Sequence, residues 1–289
     1  MKQVIEIAVP AITFVLMTVV GLSLTFSEFG SVRCRPGVVL AGLVGPVLLL
    51  PPIALILIEL LAPPPELRAG LLLLAACPMG AISSTYTYLA KASTALSVTL
   101  TVLSCLAALV TIPILSHVYQ LLFASPFGFA VPLPTLVTQL LLMLTAPVAL
   151  GMSLRHVAPS FARLHENRLR VVGFGALALL IALVIADQRD WLVLHLWRIV
   201  LLAAAMTIAA LAVGLLVGWL CRAGRHDRFT LGVGIATRNA AIATAIAVTV
   251  LGRIQFAVFA TTYFLVEVPI MLVAIGIFRW RTPKGSGGF

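Results

Sequence analysis

Residues 77–101 read CPMGAISSTYTYLAKASTALSVTLT. This stretch lies in an apolar segment, yet Pro78 and Gly80 interrupt it, and Ser83, Ser84, Thr85 and Thr87 follow at once. Backbone freed by Pro or Gly inside a bilayer needs another partner, so irregular backbone persists there only where protein or a water-filled cavity covers it. A broken helix with hydroxyls at its break is a sequence pointer to a transporter's binding site. The plainer reading is a proline kink whose hydroxyls bond back to their own helix. A second break later in the chain weighs against it.

The composition sets the class. Of 289 residues, 62% are hydrophobic and 10% charged, and mean hydropathy is +1.16. A soluble globular domain does not carry so much apolar surface, so the chain is read as an integral membrane protein with little room for a soluble domain. The formal net charge is +10. The basic residues fall in short loops, which points to membrane orientation rather than to a nucleic-acid partner. Cys34, Cys77, Cys105 and Cys221 form no CxxC pair, which argues against a metal site or disulfide framework. The apolar run Ile7 to Leu24 is long for a signal-peptide core and is read as a retained helix.

Nine spans are predicted, at about 5–26, 37–61, 68–90, 94–122, 134–153, 170–187, 191–221, 228–250 and 255–279. Each approaches the ~20 residues that a ~30 Å hydrocarbon core requires. With the N-terminus outside, the inner loops and tail hold Arg33, Arg35, Lys91, Arg155, Arg163, Arg168, Arg170, Arg222, Arg225, Arg228, Arg279, Arg281 and Lys284. The outer side holds Lys2, Arg68, Arg189, Arg198 and Arg253, so the balance is 13 against 5. The positive-inside rule then predicts an inner (plasma) membrane protein with its N-terminus outside and its C-terminus cytoplasmic. Trp191, Trp197, Trp219 and Trp280 fall near predicted span ends, as an aromatic belt requires. Gly45-Pro46 and Pro51-Pro52 are expected to kink the second span. The basic stretch 155–170, RHVAPSFARLHENRLR, is expected to be a loop separating two halves.

The second break is predicted in the eighth span, FTLGVGIATRNAAIATAIAVTVLG, where Gly232 and Gly234 loosen the helix and Thr237, Arg238 and Asn239 follow. At 1.5 Å per residue, Arg238 lies about 15 Å from the cytoplasmic end, near the midplane. Glu267, in the ninth span, is as deep. A charge there costs roughly 2.5–3.5 kcal/mol on insertion scales. The two can pair across adjacent helices as a structural lock. Alternatively, Arg238 offers a fixed cation to an anionic substrate while Glu267 tunes it or carries a proton. Spans 1–4 and 6–9 match in order with opposite polarity, and each half has a broken, hydroxyl-bearing helix third. That is an inverted-repeat plan.

These residues resemble the bile acid:sodium symporter family, over nearly the whole chain from about Ala11 to Ile277. The likeness is strongest at Cys77-Pro78, Gly80 and Ser83, at TYLAK (Thr87 to Lys91), at ALSV (Ala95 to Val98), at Pro113, and at Asn239 with Ala243. The resemblance implies an all-α integral membrane fold of about nine transmembrane helices, with two broken helices crossing at their breaks. It implies one transporter domain over 1–289, with a core at about 37–122 and 191–279 and a panel at about 5–26 and 134–187. Bacterial members usually have ten spans, which implies that the first is missing here. The implied function is secondary transport of organic anions such as conjugated bile acids, sulfated steroids or small carboxylates, by movement of core against panel. The implied partners are the lipid bilayer and a small organic anion. No cofactor is implied apart from the coupling sodium.

The sodium ligands carry over only in part. Ser83, Ser97 and Thr101 match three oxygen ligands of one family site, and a neighbouring Asn is Ser84 here. The family's second-break motif has a Glu, then Gln and Asn; this chain has Gly234, Arg238 and Asn239. A Gln on the second span aligns with Pro46, and the second Gly of the family's CPGG block is Met79. The chain lacks the shared carboxylate and carries a guanidinium where an amide belonged. Two cations roughly 4 Å apart repel by about 4 kcal/mol at an effective dielectric near 20. The second sodium site is therefore expected to be absent and the first, a vestige formed by Ser83, Ser84, Ser97, Thr101 and Asn239, weak or gone. Arg238 then stands in for the ion, and the protein is a uniporter, an exchanger or coupled to protons through Glu267. The candidate substrate and ion residues are Ser83, Ser84, Ser97, Thr101, Arg238, Asn239 and Glu267. The candidate helix breaks are Pro78, Gly80, Gly232 and Gly234.

A membrane enzyme is disfavoured. No histidine lies near a bilayer centre, Asp187, Asp190 and Asp227 are placed in loops, and Asp-rich metal motifs are absent. A non-transporting sensor or partner-binding protein of the same fold is one alternative, and an ordinary sodium-coupled symporter is another.

Overall fold

The computed structural model describes residues 2–22, 35–123 and 133–281. Arg33, Cys34, Lys284 and residues 124–132 lie outside the described residues. The helices are α1 (Lys2–Leu22), α2 (Pro36–Leu61), α3 (Pro65–Ala76), α4 (Ile82–Leu89), α5 (Thr94–Phe123), α6 (Leu133–Leu140), α7 (Ala146–Val157), α8 (Pro159–Asp187), α9 (Arg189–Leu220), α10 (Arg225–Ala236), α11 (Ala240–Ala245) and α12 (Ile254–Trp280). Short π-helical turns occupy Leu141–Thr145, between α6 and α7, and Ile246–Val250, after α11. Among the described residues there is no named strand. Five helical stretches are long and apolar enough to cross a membrane, and Ile7–Leu22, Val171–Asp187 and Ala240–Val250 form shorter apolar helices.

Large apolar side chains cover the outside, including Leu40, Leu60, Leu121, Leu194, Trp197 and Trp280. In water such a surface would be an association hazard. In lipid it is the solvated face. Because lipid gives helices no hydrophobic reason to associate, packing relies on close approach of small residues. Gly214 of α9 faces Gly232 of α10, where an added Cβ would lie 2.5 Å from the Gly232 Cα. Gly21 of α1 and Gly151 of α7 meet each other's helix backbones in the same way. Thus α9 packs on α10, α12 and α2, whereas α1 packs on α7 and α8.

One sequence expectation changes here. Residues 159–170 are the first turns of α8, not a loop, and only Ala158 separates them from α7. Pro159 suits a first helical turn, and the Ala, Arg, Leu and Glu that follow are good helix formers. Charge marks this stretch as wet, not as coil. α2 carries Pro46, Pro51 and Pro52 inside one continuous helix.

Candidate functional site

The first break spans the residues between α3 and α4, where Pro78 supplies no N–H and Gly80 allows close approach. The second lies between α10 and α11, at Thr237 to Asn239. Gly232 and Gly234 are therefore not the break; both lie inside α10. Their missing side chains serve packing, with Gly232 under Leu211 and Leu215 and Gly234 against the Met79 sulfur.

The two breaks satisfy each other. The Gly80 N–H donates to the Thr237 carbonyl at 2.9 Å, and the Asn239 N–H donates to the Pro78 carbonyl at 3.0 Å. Met79 and Arg238 thus form an isolated antiparallel bridge, and the Met79 N–H donates to Ser104 Oγ at 3.1 Å. Buried backbone groups need such partners, and here each unwound segment provides them for the other. A Cβ at position 80 would sit 2.9 Å from the Arg238 carbonyl oxygen.

Arg238 is buried, at 5% exposure. Its Nη2 donates to the Ala75 carbonyl at 3.2 Å and to the Cys77 carbonyl. These carbonyls lie at the C-terminal end of α3, where orphan acceptors and the negative end of the helix dipole favour a cation. Nε and Nη1 have no partner. Arg238 forms no ion pair with Glu267; among the described residues the ion pair present joins Arg35 and Asp227.

The hydroxyls named from the sequence converge. Ser83 Oγ lies 3.1 Å from Ser97 Oγ and 3.3 Å from Thr101 Oγ1, and Thr101 also donates to the Ser97 carbonyl at 3.0 Å. Ser84 Oγ donates to the Ala81 carbonyl at 2.7 Å. Asn239 caps α11, its Oδ1 accepting from the Ile242 N–H at 3.1 Å, while its Nδ2 faces the Met17 sulfur at 3.7 Å. As a seat for sodium this set fits in part. It offers a cluster of neutral oxygens that already bond to one another, with no carboxylate among them.

A cavity of about 170 Å³ lies against the crossing. Its polar wall includes Ser84, Thr85, Arg238 and Asn239, and its apolar wall includes Met17 of α1, Phe174 of α8 and Phe264 of α12. Ser83, Ser97 and Thr101 are buried and do not line this cavity. Glu267, fully buried on α12 one turn beyond Phe264, does not line it either. Neither carboxylate oxygen of Glu267 has a hydrogen-bond partner. The Thr237 hydroxyl is its neighbouring side-chain group, yet it too remains unpaired.

A larger open cavity, of about 830 Å³, is rimmed by Arg35, Lys91, Arg222 and Arg225. Asp227 anchors it, accepting from Arg35 and from Ser93 Oγ. The sequence reading placed Asp227 in a loop; it lies in the first turn of α10 and is buried. A lone acid inside the basic run 222–228 was the available signal for that role. Tyr86, which faces the Glu267 region from α4, and the carbonyls that hold Arg238 had no such signal.

The family model described as Sodium Bile acid symporter family matches residues 10–195. Among curated proteins, the chain is 28% identical over 207 residues to the uncharacterized sodium-dependent transporter YocS of Bacillus subtilis, covering 72% of this chain and 62% of that one. It is 23% identical over 264 residues to the probable sodium/metabolite cotransporter BASS1 of Arabidopsis thaliana, a chloroplast protein, covering 91% and 65%. It is 26% identical over 229 residues to the probable sodium/metabolite cotransporter BASS2 of Oryza sativa, covering 78% and 53%. The matches thus span between about half and two thirds of the length of these relatives.

Proposed function

The chain belongs to the Sodium Bile acid symporter family, and on that premise we propose that it is a secondary transporter of an organic anion, working by alternating access with weakened or lost sodium coupling. The observation that carries this reading is the Arg238 guanidinium, fixed at the crossing by two carbonyls, with Nε and Nη1 unspent and the adjoining cavity at hand. A buried cation with free donors is a seat for a carboxylate, sulfonate or sulfate. The apolar remainder of the cavity wall suits an organic body. At about 170 Å³ the cavity takes a small carboxylate as it stands; a steroid needs the two walls to part.

Those walls come from different packing groups, α1 and α8 on one side and the crossed helices on the other. This supports the core-and-panel reading, with the broken helices in the core; the nine passes rest on the span lengths and loop charges of the sequence. Arg35, Lys91, Arg222 and Arg225 share one end of the molecule. That is the end assigned to the cytoplasm by the loop charges, with the N-terminus outside and the protein in the inner membrane.

A second reading is an ordinary sodium-coupled symporter. The convergence of Ser83, Ser97 and Thr101 favours it, as does the similarity to a sodium-dependent transporter and to probable sodium/metabolite cotransporters. The deciding experiment measures uptake and thermal stabilisation with a panel of organic anions, in sodium and in choline buffer, for the wild type and Arg238→Gln. An anion response without sodium that is lost in Arg238→Gln is the expected result. A strict sodium requirement sinks it and leaves the second reading. No flux into vesicles for any anion means a non-transporting binding protein.

A further inference from the structure

Glu267, expected from the sequence to tune Arg238 or carry a proton, has unusual surroundings. It sits midway along α12, fully buried, with both oxygens unpaired. The Thr237 hydroxyl beside it comes from the second break, and the nearby Tyr86 hydroxyl comes from α4, just beyond the first break. Both hydroxyls are buried and both lack a hydrogen-bond partner. Glu267 thus has the Thr237 hydroxyl beside it and the Tyr86 hydroxyl in the same buried region, and none of the three makes a well-formed hydrogen bond. Buried polar groups are ordinarily satisfied, and a cluster that is not requires an explanation.

Resting on the carrier reading above, we propose that Glu267 is the proton-binding site of this transporter, with Thr237 and Tyr86 as its hydroxyl neighbours, so that a proton takes the place of sodium as the coupled cation. A metal ion fits this pocket poorly. Hard cations gather several oxygens, whereas this cluster has one carboxylate and two hydroxyls. The titratable and charged groups facing Glu267 are Tyr86, Tyr263 and Arg238. Tyr263 is already committed to the Ala236 carbonyl, and Arg238 would repel a second cation. A proton needs only the carboxylate. The step is a reversible protonation. The O–H bond on Glu267 forms with a proton from water on the side to which the site is open. It breaks by returning that proton to water on the other side, leaving the bonding pair on the carboxylate.

Charge bookkeeping links the proton to the substrate. With the site empty, ionised Glu267 and Arg238 sum to zero. With a monovalent anion on Arg238, the sum is zero only when Glu267 is protonated. An anion without its proton leaves one uncompensated negative charge at the midplane, where charge is costly. The two ligands therefore enter and leave together. Opening of the cavity wall at Phe264, one turn from Glu267, and at the break residues would bring water to the carboxylate as it brings the anion to Arg238.

The test uses the full chain in proteoliposomes without sodium, with radiolabelled taurocholate and estrone sulfate as permanently charged probes and a trapped pH dye. An inside-alkaline gradient is expected to drive accumulation in the wild type, by up to about tenfold per pH unit for a one-to-one symport, with matching proton entry. Glu267→Gln, which mimics the protonated acid, is expected to keep anion counterflow and lose the gradient-driven accumulation. Wild-type uptake that ignores the gradient and moves no protons overturns the proposal, and this measurement stands even if the variant does not fold. Gradient-driven accumulation that persists in Glu267→Gln also overturns it. Absence of counterflow for both probes in the wild type means instead that the carrier reading has failed for these anions, and the proton site falls with it.

Discussion

Arg238 donates to the Cys77 carbonyl across the crossing of the two broken helices. The buried cation is thereby tied to the end of a helix rather than to the buried carboxylate of Glu267. On the proposed function, a fixed guanidinium on backbone acceptors keeps its charge for an anion. The same guanidinium locked onto Glu267 would not.

Arg238→Lys separates charge from geometry. Lysine keeps a point charge but loses the guanidinium Nη2 that donates to both the Ala75 and Cys77 carbonyls. Thermal unfolding in detergent is expected to show a loss of about 1.5–3 kcal/mol, the range for hydrogen bonds to charged groups, with anion stabilisation retained in choline buffer. Arg238→Gln is expected to lose both. Equal anion responses from Lys and Gln would remove the charge from the argument.

Gly80→Ala brings a Cβ to 2.9 Å from the Arg238 carbonyl oxygen and 3.1 Å from Thr237 Cγ2. The obstacle is backbone, so the crossing must open. A destabilisation of about 1–3 kcal/mol, as for overpacking elsewhere, is expected together with reduced uptake. Gly37→Ala is the control, because nothing lies within 4 Å of that position. Comparable melting shifts for the two would contradict the close approach.

Ser97→Ala and Thr101→Val test the hydroxyl cluster. If these groups serve one another, each replacement costs about 1 kcal/mol and leaves the response to sodium unchanged. A sodium-dependent melting shift in the wild type that vanishes in either variant would restore the ion to this site.

Asp227→Asn removes the negative charge and the oxygen that accepts from Arg35, while the remaining Oδ1 can still accept from Ser93. The Arg35 side chain is 55% exposed, so solvent screens the pair and a loss of no more than about 1 kcal/mol is expected. The gap between wild type and variant should narrow as salt rises. A salt-independent gap would show that the ion pair does not carry the effect.

The sequence made some of this legible. The first break was readable because Pro78 and Gly80 have local effects on backbone that no context hides. The second was misplaced by a few residues. Glycines at 232 and 234 looked like the weak points, whereas the helix unwinds at Thr237 to Asn239, where no breaker stands. What unwinds it is a partner more than 150 residues away, the Pro78 to Gly80 backbone, and local propensity does not report such pairing. Arg238 was found by its depth, but its acceptors are main-chain carbonyls, which every residue carries. The basic stretch 159–170 looked like a loop because polarity was equated with coil; it begins α8, with Pro159 in the first turn and good helix formers after it.

The backbone bridge at the crossing makes residues 78–80 and 237–239 one unit of inheritance for anyone rebuilding this protein. Each segment completes the other's hydrogen bonds, so a graft of one break from a relative leaves the resident break without its template. Chimaeras that exchange both segments together should fold where single exchanges do not, and paired substitutions across the bridge should depart from additivity more than either does with a distant site.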